Sequence, residues 1–358
     1  MQLVVLGMHR SGTSMLARVL GLMGCYAGPL EAFSPPDAAN SRGYWERRDV
    51  WAVNEAILES LGRRWYDVAG LDLAQLAEGS RPELEDRVRS IVRALDAHRP
   101  WVIKDPRLCL LFPFWRRFLD RPVCVLIDRD PLAVARSLQA RDGFPLFFGI
   151  ALWECYTLKA ILSTAGLPRI AVSYHDLLAR PAATASRLRE ALLALGVEGL
   201  HDPAAAEIAA FVEPALEHYD GDEAALRGTL NAQQLDLQQA IASRAVLAME
   251  PPPLSPGAVD LLAAYPRLLA EREELRAKII ADSSNYLAER TTRLRYEEEI
   301  AGLAVEAEAL QAKLAADAVA YIAERTMRLR YEEEIRKLQS ENEALRSALL
   351  RASLSPGW

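Results

Sequence analysis

The chain predicts an α/β fold: a parallel sheet flanked by helices, a phosphate-binding loop after the first strand, and a long α-helical coiled coil behind it. Three observations carry this expectation. Short apolar runs alternate with amphipathic helices up to about residue 215. A Gly-x4-Gly turn, Gly7 to Gly12, stands between the first apolar run and an apolar helix. After Pro266 and to about Leu350 there is no proline, only Gly302, and an excess of Ala, Glu, Leu and Arg.

The first strand is expected over Leu3 to Leu6, and the helix after the turn carries Met15, Leu16, Val19, Leu20 and Met23, with Gly24 as its stop. Trp51 to Leu61 and Leu84 to Leu95 read as amphipathic helices. Three further strands are expected: Pro100 to Ile103, Pro122 to Ile127 and Arg169 to Tyr174. Short apolar strands separated by helices indicate parallel pairing, with functional groups at the strands' carboxyl ends. Two charged clusters fall at such ends, Lys104-Asp105-Pro106-Arg107 and Asp128-Arg129-Asp130-Pro131.

The expected organisation is an α/β domain over 1–215, a helical and Pro-rich connector over 216–265, and a coiled coil over 266–350. The connector holds Gly221, the run Pro251-Pro252-Pro253 and Ser255-Pro256-Gly257, spacing that makes a semi-rigid link. In the coiled coil the block 288–300 returns at 323–335 with one change, Thr292 to Met327. The offset of 35 residues is a whole number of heptads, so both copies share one register. With Ile300 at heptad position a, the seam is Leu275, Ile279, Tyr286, Tyr296, Ile300, Leu303, Ala307, Leu310, Leu314, Tyr321, Tyr331, Ile335, Leu338, Asn342, Leu345 and Leu349. A continuous helix over 266–350 would be about 125 Å long at ~1.5 Å per residue. Asp282, Glu289, Arg293, Asp317, Glu324 and Arg328 also fall at a or d, open to pairing across helices or to a local change of register. Asn342 at a is a device for fixing partner number.

Composition narrows the function. A net charge of −7 speaks against non-specific nucleic-acid binding. Cys25, Cys109, Cys124 and Cys155 lie far apart with no Cys-x-x-Cys pair, which predicts reduced buried thiols and no zinc site. The first strand follows Met1 with no room for a signal peptide, and no run approaches the ~20 apolar residues of a membrane span. The expected location is the cytoplasm.

The turn itself has the layout of an anion cradle, with backbone N–H groups aimed over a helix N-terminus. A nucleoside-triphosphate loop of this type has Lys where Thr13 stands, and uses it with Mg²⁺ on the β- and γ-phosphates. The cradle without that Lys predicts a nucleotide other than a triphosphate. In the second cluster Asp130 is placed to cap a helix starting at Pro131, which leaves Arg129 at the strand end and Ser137 two turns along. An Arg fork and a hydroxyl there make a second anion site.

Together these residues resemble the sulfotransferase family, which uses 3′-phosphoadenosine 5′-phosphosulfate (PAPS) as donor. Arg10-Ser11-Gly12-Thr13-Ser14 matches the family's 5′-phosphosulfate loop, and Arg129 with Ser137, eight residues apart, matches its 3′-phosphate pair. The resemblance spans roughly residues 1 to 215 and does not reach the coiled coil. It implies sulfonate transfer from PAPS to a hydroxyl or amine, with a carbohydrate or glycolipid as the implied acceptor. Such a transfer leaves negative charge on the departing phosphate, which Arg10, the loop amides and Lys104 are placed to stabilise without a bridging metal. Lys104 resembles the Lys that carbohydrate sulfotransferases set near the sulfonate, and Arg107 is open to donor or acceptor.

A general base is also required. Glu46 in Gly43-Tyr44-Trp45-Glu46 is preferred, with Glu31 and His9 as alternatives. Tyr44 and Trp45 are placed to line a sugar or aromatic site, and Trp153, Tyr156 and Tyr174 are open to adenine stacking or to the core. The coiled coil implies self-association. Two other readings stay open: a P-loop kinase or NTPase, with Asp105 or Asp128 as metal carboxylate, and a coiled-coil scaffold with an inactive α/β head.

Overall fold

Four strands, β1 (Gln2–Leu6), β2 (Trp101–Lys104), β3 (Pro122–Asp128) and β4 (Arg169–Ser173), form one sheet in the order β2-β1-β3-β4, every neighbouring pair parallel. The computed structural model describes residues 1–34, 45–212, 228–248, 250–282 and 290–353. All five residues of β1 are buried, as expected of a central parallel strand covered on both faces. Its side chains alternate between two cores. Leu3 and Val5 pack with Val123 and Val125 on one face, and Val4 and Leu6 with Trp101, Ile103 and Cys124 on the other. Register places Val5 beside both Lys104 and Val125, so the strands end together at one edge of the sheet.

The first core is closed by α1 (Thr13–Leu22), α7 (Tyr174–Ala179), α8 (Pro181–Ala194) and α9 (Ala205–Phe211), through Leu16, Val19, Leu20, Leu177, Leu188 and Ile208. The second and larger core takes α2 (Arg48–Ser60), α3 (Arg81–Asp96), α4 (Leu108–Arg116), α5 (Pro131–Asp142) and α6 (Leu146–Ser163). Among the described residues α6 is the one helix long and apolar enough to cross a membrane, and 67 % of it is buried in this core. Phe148, Leu152, Trp153 and Tyr156 on α6 are fully enclosed. Gly149 lets α6 approach α5 closely, since a Cβ there would stand 2.8 Å from the Cα of Ala135.

The segment expected as a connector over 216–265 behaves differently where it is described. Residues 213–227 and 249, including Gly221, lie outside the described residues. Beyond them α10 (Ala232–Ala242) and the first half of α11 (Pro256–Asp282) join the larger core through Leu237, Ile241, Ala258, Leu262 and Leu269. The compact unit therefore extends from Met1 to Ala270. Ser255-Pro256 starts a helix instead of forming a link, because Pro at the first helical position has no N–H to lose.

A buried carboxylate fastens this addition. Glu154 on α6 accepts from Gln234 Nε2 (2.7 Å), from the Ser255 backbone N–H (2.6 Å) and from Ser255 Oγ (2.8 Å). The second unit, Glu271 to Trp358, contains the 64-residue α12 (Arg290–Ser353). Ile300, Leu303, Leu310, Leu314, Tyr321, Ile335 and Leu338 of the expected seam are exposed on it. Tyr286 and Glu289 of the heptad assignment lie outside the described residues.

Candidate active site

The site forms where the sheet's carboxyl edge meets the N-terminus of α1. Residues 7–12 make a compact turn in which Arg10 (φ 69°) and Gly12 (φ 86°) adopt the left-handed conformation. Gly12 is both the helix cap and a point of close approach: a Cβ there would lie 2.2 Å from the Tyr174 ring. Gly7 is equally confined, with Ile127 Cγ2 2.7 Å from any added Cβ. The Gly7 N–H donates to Cys109 Sγ (3.1 Å), and the Ser11 N–H donates to the Met8 carbonyl (3.1 Å). Because Gly12 offers no side-chain acceptor, it does not cap the first amides of α1. That leaves a cradle suited to an anion.

The two sequence motifs meet directly. Arg10 Nε donates to Ser137 Oγ (2.8 Å), and Arg129 Nη1 donates to the Arg10 carbonyl (2.8 Å). The Arg129 guanidinium also stands over the Tyr174 ring, 4.5 Å from its centroid. Asp130 caps α5 through the Ala133 N–H (2.9 Å), with Pro131 in the first turn, and this fixes Arg129 at the strand end. Arg10, Ser11, Gly12, Thr13, Ser14, Arg129 and Ser137 thus lie in one neighbourhood.

Lys104 enters it from β2. Its side chain is 1 % exposed, and Nζ donates to Ser14 Oγ (3.1 Å) and to Glu46 Oε1 (2.7 Å). Glu46 is held by its backbone as well, accepting from the Ser34 N–H (3.2 Å) beside the Phe33–Arg47 bridge. Burial raises the Glu46 carboxyl above its ordinary value against the pull of Lys104. Trp45, at φ 51°, packs on Phe33 and under the Arg18 guanidinium, 4.6 Å from its centroid. Gly43 and Tyr44 lie outside the described residues.

The other proposed bases part company here. Glu31 is exposed in a short turn, and its carbonyl accepts from Arg48. His9 is buried, its ring 4.3 Å from that of Trp65, and its Nε2 has no hydrogen-bond partner. Burial, with Arg107, Arg141, Lys104 and Arg10 nearby, drives its pKa well below the ordinary value, so the ring is neutral at pH 7. Arg107 is committed to carboxylates, pairing with Glu55 and with Asp105 Oδ1 (3.1 Å). Trp153 and Tyr156 are core residues, and the Tyr156 hydroxyl donates to the Trp65 carbonyl (2.5 Å). Asp128 is raised to about 7 by burial and by Asp130. Among the described residues no group of three or more His, Cys, Asp and Glu is disposed to hold a metal ion.

Three contacts carry no local signal in the sequence: Gly7 with Cys109, Glu55 with Arg107, and His9 with Trp65. Each joins residues more than fifty positions apart, beyond the reach of any spacing rule. A Cys or Glu facing the site from its own helix gives only a weak hint.

The family model described as the sulfotransferase family matches residues 2–198. The chain belongs to this family. Its sheet, its β1–α1 loop, Lys104 and the Arg129–Ser137 pair all fall within the matched span. Among solved structures, this sulfotransferase-family chain is similar to a sulfotransferase domain from the curacin biosynthetic pathway, at 17 % identity and a TM-score of 0.34, covering 74 % of this chain and 96 % of that one. It is also similar to a sulfotransferase domain from the Synechococcus PCC 7002 olefin synthase (19 %, TM-score 0.35, 74 % and 93 %). A third is the sulfotransferase STF9 from Mycobacterium avium (16 %, TM-score 0.36, 71 % and 78 %). No curated protein matches the chain.

Proposed function

We propose that the protein transfers a sulfonate group from PAPS to a hydroxyl or amine, with a carbohydrate or glycolipid as the acceptor class. The observation that carries this reading is Lys104, whose buried ammonium bridges the loop hydroxyl of Ser14 and the Glu46 carboxylate. A fixed positive charge beside a raised carboxyl, at the mouth of an anion cradle, suits an in-line transfer that needs charge stabilisation and a base together.

In this reading the cradle amides, with Ser11, Thr13 and Ser14, hold the 5′-phosphosulfate. Arg129 and Ser137 hold the 3′-phosphate. Glu46 takes the acceptor's proton as its oxygen or nitrogen bonds to sulfur. The bond from sulfur to the bridging oxygen breaks, and its electron pair leaves with 3′,5′-ADP. Arg10 and Lys104 neutralise the charge that develops there. Nothing in this sequence of events uses a γ-phosphate, which fits the Thr at position 13. The reading also has the helical tail associate with a second copy in the cytoplasm, covering the apolar side chains exposed along α12.

Calorimetric titration with 3′,5′-ADP and with Mg-ATP tests the donor assignment. The expected result is tight 3′,5′-ADP binding, weakened at least tenfold by Arg129→Ala, and little heat from Mg-ATP. Binding of Mg-ATP alone would overturn the assignment in favour of a kinase, and binding of neither would point to a scaffold.

A further inference from the structure

The tail's polar residues at a and d carry orientation as well as register. We infer that two copies of the tail pair antiparallel, about a dyad between Glu308 and Ala309. This rests on the proposed self-association and is independent of the donor chemistry.

In a parallel in-register pair each a or d residue faces its own copy. Within α12 that sets Arg293 on Arg293, Asp317 on Asp317, Glu324 on Glu324 and Arg328 on Arg328. Sliding one copy by the 35-residue repeat does not help, since Arg293 then meets the partner's Arg328. Every parallel register that keeps the repeat in phase stacks like charges in the seam.

In an antiparallel pair a faces d, and one register sets Arg against Glu and apolar side chains against one another over most of the central seam. Arg293 at a meets the partner's Glu324 at d, and Tyr296 meets the partner's Tyr321. Leu303 meets the partner's Leu314, and Ala307 meets the partner's Leu310. Asp317 then faces the partner's Ile300 in place of a second Asp. Flanking the seam, Glu306 at g lies beside the partner's Lys313 at g, while at e Arg290 faces the partner's Arg325 and opposes the pairing.

The repeat explains why this works. Two copies of a block holding Glu at d and Arg at a, set 35 residues apart, become mutually complementary when the chains run in opposite directions. The occupant of the exposed seam is therefore a second copy of this chain, selected by charge.

Two measurements test this on the full chain. Single cysteines for spin labelling go in at Ala309→Cys and Ser340→Cys, exposed positions outside the seam, while the four native cysteines are buried. Antiparallel pairing predicts a label separation within about 25 Å at 309, from adjacent helices, and about 95 Å, with no short component, at 340. Short distances at both sites would overturn the orientation while leaving self-association intact. A monomer at tens of micromolar by sedimentation velocity would overturn both. The second measurement is a charge swap: R293E and E324R alone each weaken association at least tenfold, and the double variant R293E/E324R restores it. A double variant no tighter than either single one would sink the pairing.

Discussion

At Lys104 and Glu46 two charges neutralise each other at the heart of the site, and the pH dependence of the reaction follows from that pair. As the proposed base, Glu46 must be ionised to accept a proton, and its carboxyl sits above the ordinary value because it is buried. The acidic limb of kcat/KM should therefore lie above the range of an exposed carboxylate, activity rising as pH rises through it. Glu46→Gln should lower kcat by about 10²–10⁴-fold and remove that limb, while 3′,5′-ADP affinity changes little. A pH–rate profile of both proteins checks this. Gly12 sets a second expectation. Gly12→Ala forces a Cβ toward a ring 2.2 Å away at φ 86°, which should cost about 2 kcal/mol of stability, read by urea denaturation. It should also abolish 3′,5′-ADP binding. At this scale position was legible: Lys104 ends β2, Arg129 follows β3, Arg10 lies in the turn after β1 and Ser137 lies within α5. The sequence said nothing of the bond from Arg10 to Ser137, because 127 positions separate them and only the fold brings them together.

Strand and helix boundaries were largely legible, since alternation of short apolar runs with amphipathic stretches reports the local period. The expected strand over Pro122 to Ile127 is β3, longer by one residue, and the expected cap at Asp130 is present. The central helix α6 is harder to read, because apolar side chains cover it all round and leave no amphipathic stripe. The segment after residue 215 misled for the opposite reason. Its prolines and glycine suggested a link, yet one of those prolines starts α11, and the polar face that anchors it is a carboxylate on a helix a hundred residues earlier. Glu154 shows what that anchoring is worth. Glu154→Ala strips the partner from the Ser255 N–H, the Ser255 hydroxyl and the Gln234 amide, and should cost ~3 kcal/mol. Urea denaturation measures the loss, and limited proteolysis should cut first between Leu247 and Pro256. Glu154→Gln keeps the size but not all the acceptors, and should fall in between.

For the whole molecule, two kinds of stability are joined in one chain. The unit from Met1 to Ala270 buries two continuous cores around its sheet, whereas the described side chains of α12 are nearly all exposed. The sequence separated the two by composition alone, because a proline-free stretch rich in Ala, Glu, Leu and Arg cannot belong to a sheet. The unit's end, at Ala270, was not legible, since the change of composition begins inside α11, a helix whose first half is still core. The 35-residue spacing of the repeated block has a further consequence for how such a tail can evolve. In the antiparallel pairing inferred above, inserting a third copy would keep every heptad in phase and would again set each Arg against a Glu of the opposed helix, with the dyad moved to the middle block. Each insertion would lengthen the rod by about 50 Å at ~1.5 Å per residue. The block is therefore a unit of length: a lineage could change the span of this tail in fixed steps by duplicating a short stretch of gene, with no new interface to invent.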